Sequence, residues 1–108
     1  MQVSMEALEA YLNSLYGGCV DEQSLFMKLV EEMGEVAQIL NQKSGRKAAD
    51  GADLQTELGR ELADVIHYAV AIAALNGLDL NEIILSKDRQ ASVKYHRESN
   101  LETFLTKW

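Results

Sequence analysis

The chain has 108 residues, enough for one compact domain and too few for two. Its hydrophobic fraction of 47% predicts a packed core rather than disorder, and a content of only 6% aromatic residues with no proline favours helices over sheet. The formal net charge of −7 argues against binding to a nucleic-acid backbone or to an anionic membrane. We therefore expect an all-α protein with a single domain over residues 1–108, and no nucleic-acid or membrane partner.

Cysteine usage and the first residues bear on the cellular compartment. Cys19 is the single cysteine, so neither an intrachain disulfide nor a cysteine-built zinc site is possible, and we expect this small side chain to be buried or half-buried. No basic segment followed by an apolar run opens the chain, and no stretch approaches the roughly 18 apolar residues of a membrane span. We expect a soluble, cytoplasmic protein.

The first half of the chain predicts two helices and a loop. The first helix covers about residues 4–16, with apolar side chains at helical spacing, and a Gly-Gly pair ends it. The second helix begins near Asp21, a typical N-cap residue, and continues to about residue 42. Residues 43–53 contain two glycines and three basic side chains, which predicts a mobile loop.

The second half predicts two more helices and a tail. The third helix covers about residues 53–76 and ends at Gly77, a residue suited to the left-handed position after a helix. The fourth begins with residues 79–82, which have the form of a capping box, and is expected to reach residue 97. Residues 101–108 could form a last turn or a docking tail.

Apolar stripes on these helices require partner helices. The stripe on the third helix, and its alanine-rich positions, permit close packing of one helix against another. Apolar residues on more than one side of this helix indicate a subunit interface, and symmetric dimers are the commonest outcome. We expect a four-helix bundle-like, dimer-forming domain with its core at about residues 21–97.

Two carboxylate pairs lie inside these helical patterns. Glu32 and Glu35 on the second helix, and Glu61 and Asp64 on the third, are each three residues apart and so share a helix face. At about 100° per residue, both pairs align with the apolar stripes. Buried carboxylates repel each other and lose hydration, so they need a compensating cation. Four oxygen donors without a thiol or imidazole suit magnesium or manganese.

The buried acids have two alternatives to a magnesium or manganese site. In the first, Lys28 and Arg60 neutralise them in a purely structural bundle. The second is a di-iron site, which is disfavoured because such sites carry Glu-x-x-His motifs that this sequence lacks. His67 falls on the far side of its helix from Glu61 and His96 lies far along the chain, so we expect both to be solvent-facing or structural.

The carboxylate pattern resembles that of a known family. The motif Glu31-Glu32-x-x-Glu35, followed after 25 residues by Glu61-x-x-Asp64, is similar to that of the MazG-like nucleoside triphosphate pyrophosphohydrolases. These enzymes belong to the all-α nucleotide pyrophosphatase superfamily. The two halves of the motif are specific as a pair and weak separately.

The fourth helix carries part of the family pattern. The family often has a Lys, a later Asn, and then a Lys or Arg followed by Tyr; Lys87, Lys94 and Tyr95 fit this order. Ala91 stands at the Asn position, which weakens any transfer of nucleotide contacts from this helix. The resemblance covers about residues 23–95.

The resemblance implies a homodimer or homotetramer that uses magnesium and hydrolyses a nucleoside triphosphate between its α- and β-phosphates. The products would be a monophosphate and pyrophosphate, which makes the chain a hydrolase of phosphoric anhydrides with a role in nucleotide-pool sanitising. The expected roles are metal binding by Glu32, Glu35, Glu61 and Asp64, catalysis by Glu31 and Glu32, and phosphate binding by Lys28, Lys87 and Lys94. A non-catalytic helical dimer that binds metal or nucleotide is the alternative, and phosphoribosyl-ATP pyrophosphatase has a related architecture.

Overall fold

A computed structural model describes residues 1–45 and 53–108, and in these ranges all regular structure is helical. The all-α prediction is therefore confirmed. The five helices are α1 (Met5–Tyr16), α2 (Glu22–Lys43), α3 (Leu54–Leu75), α4 (Leu80–Lys94) and α5 (Leu101–Lys107).

The three longest helices begin where the sequence supplies an aspartate cap. The carboxylates of Asp21, Asp53 and Asp79 each accept a hydrogen bond from a backbone N–H three residues further on, which satisfies one of the free donors of the first turn. The hydrogen bonds from Ser24 to Asp21, and from Thr56 to Asp53, hold the pKa of both carboxyls below their usual range. The predicted helix starts are confirmed.

The helix ends agree with the sequence in one case and not in another. Gly77 follows α3 with φ of 65°, as predicted for a glycine after a helix. The prediction that the fourth helix reaches residue 97 is wrong, because α4 ends at Lys94. His96 adopts a left-handed φ of 54° and the Arg97 N–H donates to the Ser92 carbonyl at 2.9 Å. The sequence does not indicate this helix end, because the left-handed conformation is expected of a glycine and not of a histidine.

The helices α2 and α3 form an antiparallel hairpin that is fastened at both ends. At one end Asn76 Nδ2 donates to Glu22 Oε2 at 2.7 Å, and at the other Lys43 Nζ donates to Gln55 Oε1 at 3.1 Å. Helix α1 packs on α3, while α4 contacts α1 and α5. The central core consists of Leu12, Leu25, Val70 and Ala71.

Much of the apolar surface of this hairpin is open to solvent. Six exposed apolar residues of the hairpin are together called the apolar stripe below. They are Phe26, Val30, Met33 and Leu40 on α2, and Leu62 and Ile66 on α3. On a helical wheel the α2 members share one side, away from Glu35. Isolated exposed apolar residues are ordinary, but several on one side of a helix indicate an interaction surface.

Three further expectations meet the structure here. Cys19 is exposed, so the prediction of a buried or half-buried thiol is wrong; it follows the glycine-rich turn between α1 and α2, which the core does not cover. Of the predicted loop 43–53, residues 46–52 lie outside the described residues, and Lys43 belongs to α2. Among the described helices none is by itself long and apolar enough to span a membrane; α3 and α4 reach that length and composition only jointly, bent by 106°.

Candidate metal centre

Three of the predicted acids come together between α2 and α3. Glu32, Glu61 and Asp64, called the acid cluster below, each place one carboxylate oxygen within 4.8 Å of the other two. The antiparallel hairpin explains this convergence, because it brings the middle of α2 opposite the first half of α3. The helical spacing of Glu61 and Asp64 then directs both toward Glu32.

Burial within the acid cluster is uneven. Glu32 and Glu61 are partly buried, and the Oε2 atom of each is shielded from solvent with no hydrogen-bond partner among the described residues. Asp64 and Glu35 are exposed, so the expectation of four inward acids holds for two of them. A shielded carboxylate oxygen without a donor is costly, and two of them side by side indicate a missing positive partner.

The raised pKa of Glu61 also indicates that the acid cluster lacks a positive partner. A proton on Glu61 can form hydrogen bonds to the Glu32 and then the Glu35 carboxylate, which two ionised carboxylates cannot do; this, followed by burial and the negative charges of both, raises the pKa of Glu61 to about 8. Near neutral pH the site therefore retains a proton on Glu61, which stabilises the neighbouring carboxylates. A divalent cation at the same place would displace that proton and satisfy the charge more fully.

The donor set fits a small hard cation. Opposite oxygens around an octahedral magnesium ion lie about 4.2 Å apart, given a bond length of about 2.1 Å. The oxygens of the acid cluster lie within 4.8 Å of one another, which is compatible with this spacing, and the exposed side chain of Asp64 can rotate to adjust it. A donor set of carboxylate oxygens, without sulfur or nitrogen, is typical of magnesium and manganese sites.

The basic side chains that could have neutralised the acids do not occupy the acid cluster. Lys28 Nζ lies 3.4 Å from Glu31 Oε2, in a pair whose two side chains are both more than half exposed. Arg60 forms no ion pair and no hydrogen bond within the part of the chain that the structure describes. Neutralisation by Lys28 or Arg60 therefore does not explain the shielded oxygens of Glu32 and Glu61.

The remaining predicted residues lie elsewhere. Lys87 and Lys94 are exposed on α4, which contacts α1 and α5, and the Lys94 ammonium lies 5.3 Å from the centre of the Tyr95 ring. His67 Nε2 lies 2.7 Å from the Tyr16 hydroxyl, so this histidine joins α3 to α1, as expected for a structural role. His96 is exposed, also as expected.

A cavity adjoins the acid cluster that the sequence alone did not reveal. This side cavity has a volume of about 430 Å³ and is lined by Glu35, Gln38, Ile39, Gln42, Glu57, Arg60 and Glu61. The available signal was helical spacing: Gln38 and Gln42 follow Glu35 by three and seven residues and so share its helix face. Because their amides carry no charge, the pattern of carboxylates that predicted the metal site did not point to them.

The structure is that of a helical protein with a carboxylate cluster that could hold a metal ion. The family model of the MazG nucleotide pyrophosphohydrolase domain matches residues 20–96. The crystal structure of iMazG from Vibrio DAT 722 is similar over 88% of this chain and 100% of that chain, with 25% sequence identity and a TM-score of 0.65. No curated protein sequence matches the chain. The chain belongs to the MazG nucleotide pyrophosphohydrolase family.

Proposed function

We propose that the protein is a magnesium-dependent pyrophosphohydrolase of nucleoside or deoxynucleoside triphosphates, with manganese as a substitute ion. It forms a monophosphate and pyrophosphate, and acts in nucleotide-pool sanitising in the cytoplasm as a single domain over residues 1–108. The observation that carries the proposal is the convergence of Glu32, Glu61 and Asp64 in a chain of the MazG family, with two shielded oxygens that lack a partner among the residues the structure describes.

The acid cluster and Glu35 hold the ion in this proposal. The bound ion supplies charge neutralisation for the phosphate oxygens and makes a water more acidic. Glu35 contributes because it already interacts with Glu61 strongly enough to raise the pKa of that carboxyl. A glutamate or aspartate at each position provides a hard oxygen ligand, and such ligands favour magnesium or manganese over softer metal ions.

The chemical step needs a base and a place for the leaving group. The water oxygen forms a bond to the α-phosphorus, the bond from that phosphorus to the bridging oxygen breaks, and pyrophosphate leaves with the electron pair. Glu31, exposed beside Glu32, accepts the proton of the water. Lys28, within 3.4 Å of Glu31, offers a cation to the phosphates at this end of the site.

A second copy of the chain completes the protein in this proposal. The apolar stripe on α2 and α3 is the surface that a homodimer, or a homotetramer built from it, would cover. Lys87 and Lys94 lie away from the acid cluster of their own chain, so their predicted phosphate contacts would be made across the dimer.

Light scattering tests whether the chain forms a dimer. The wild type is expected to be at least dimeric, and replacing Met33 with a charged residue is expected to dissociate it.

The test of the activity is pyrophosphate release from a panel of triphosphates with magnesium. The variants Glu32→Gln and Asp64→Asn remove one ligand each, and Glu98→Gln removes an exposed charge elsewhere as a control. Loss of turnover in the first two, with helical content intact, supports the proposal. A non-catalytic binder, the alternative, would bind triphosphate and magnesium and release no pyrophosphate.

A further inference from the structure

We infer that the side cavity binds the nucleobase of the substrate, and that Gln38 and Arg60 select the base. This inference rests on the proposed function, since it assigns one end of a nucleotide whose phosphates lie at the acid cluster. It adds the direction in which the nucleotide lies and the side chains that recognise the base.

The position of the side cavity makes it part of the same binding site. Glu35 and Glu61 line it and also belong to the proposed metal site, so a ligand held at the ion extends directly into it. Its volume of about 430 Å³ lies within the range of roughly 300 to 1,000 Å³ that is typical of small-molecule pockets. One end of the nucleotide must therefore occupy this space.

Charge decides which end of the nucleotide enters. Among the described lining residues, Glu35 and Glu61 belong to the proposed metal site, where the ion offsets their charge, and Glu57 balances Arg60. The side cavity therefore offers phosphates beyond reach of the metal ion no net attraction, and an uncharged base needs none. The opposite direction along the hairpin is more favourable for phosphates.

That opposite direction presents a cation and a phenol. Lys28 lies one helical turn before Glu32, and Tyr68 one turn after Asp64. Lys28 Nζ donates a hydrogen bond to Glu31 Oε2 at 3.4 Å, and this bond and the charge of Glu31 raise the pKa of Lys28, so Lys28 stays positively charged. The triphosphate tail is thus directed toward Lys28 and the base toward Arg60.

The lining supplies the groups that distinguish one base from another. A glutamine amide both donates and accepts hydrogen bonds, and a guanidinium donates in a fixed planar arrangement. Gln38 and Arg60 form no hydrogen bond or ion pair with any other residue that the structure describes, so both are available to a base edge, and Gln42 lies on the same wall. A base that leaves these groups unpaired is disfavoured.

Calorimetric titration with deoxynucleoside monophosphates in magnesium tests the inference without requiring turnover. The variants are Gln38→Leu, which keeps the size of an exposed side chain and removes its hydrogen bonds, and Arg60→Lys, which keeps the charge and removes the planar donors. Gln90→Leu on α4 is the matched control, and inorganic pyrophosphate is the second ligand. We expect the wild type to prefer one base, and either variant to weaken that monophosphate about three- to tenfold, with affinity for pyrophosphate unchanged.

Two results would overturn the inference. Weaker binding of pyrophosphate with unchanged binding of monophosphates would mean that the side cavity receives the phosphate tail. Unchanged binding of all ligands in both variants would mean that the side cavity takes no part. Failure of the proposed function would look different: the wild type would release no pyrophosphate from any triphosphate, whatever the monophosphate titrations show.

Discussion

Replacing Glu61 with glutamine removes one of the three carboxylates of the acid cluster and nearly preserves the size of the side chain. Glutamine keeps one oxygen but loses the charge, so the site should bind magnesium much more weakly. The fold should tolerate the change, because the raised pKa of Glu61, about 8, already keeps this side chain mostly neutral at pH 7 in the absence of metal. The substitution therefore separates metal binding from folding.

The size of the effect follows from linkage. A ligand at about ten times its dissociation constant stabilises the native state by about 1.4 kcal/mol, if it does not bind the unfolded chain. A domain of 108 residues has an unfolding entropy of about 0.23 kcal/mol/K, so Tm should rise by about 6 °C. At the same magnesium concentration, the Glu61→Gln protein should gain less than about 2 °C, because its site would be far from saturated.

Differential scanning fluorimetry at pH 7, in chelator and in magnesium, measures this directly. Glu98→Gln serves as the control, since it removes an exposed charge with no partner among the described residues and should keep the full shift. A full shift in the Glu61→Gln protein would refute our account of the acid cluster. So would a wild type whose Tm does not respond to magnesium or manganese.

Three further predictions test other parts of the structure. In chelator, stability should fall as pH rises from about 5 to about 8 and then level off, because over this range the native state holds a proton on Glu61 that the unfolded chain, with a pKa near 4.5, has already released. Urea unfolding between pH 5 and 9 measures this, and a slope that persists in Glu61→Gln would contradict it. Asp64→Asn should reduce pyrophosphate release at least about 100-fold while circular dichroism stays unchanged, and near-normal turnover would remove Asp64 from the site. Tyr16→Phe removes the hydrogen bond to His67 and should cost about 1 kcal/mol in urea unfolding, whereas Tyr11→Phe, at an exposed position, should cost almost nothing.

Local signals in the sequence predicted most of the helix boundaries. Aspartates at positions 21, 53 and 79 each cap the first turn of the helix that follows. Gly77 ends α3 because glycine readily adopts the left-handed backbone conformation needed after a helix, whatever its neighbours. Such effects depend on residues a few positions apart and can be inferred without knowledge of the fold. The pairing of Glu32 with Glu61 and Asp64 was also predictable, because an antiparallel hairpin follows from two long helices joined by a short connection.

Features that depend on distant neighbours were not predictable. Asp64 shares a helix face with Glu61, yet Asp64 is exposed and Glu61 is partly buried, a difference that helical spacing does not indicate. The hydrogen bond between Tyr16 and His67 joins residues 51 positions apart, and no local pattern indicates it. The end of α4 depends on the left-handed His96, a conformation that the sequence signals clearly only for glycine.

Steady-state release of pyrophosphate against magnesium concentration, for the wild type, Glu32→Gln and Glu98→Gln, tests the central claim most directly. We predict metal-dependent turnover in the wild type and in Glu98→Gln, and a loss of at least about 100-fold in Glu32→Gln. Equal turnover in all three proteins, or turnover that persists without a divalent ion, would contradict the assignment of catalysis to the carboxylates between α2 and α3.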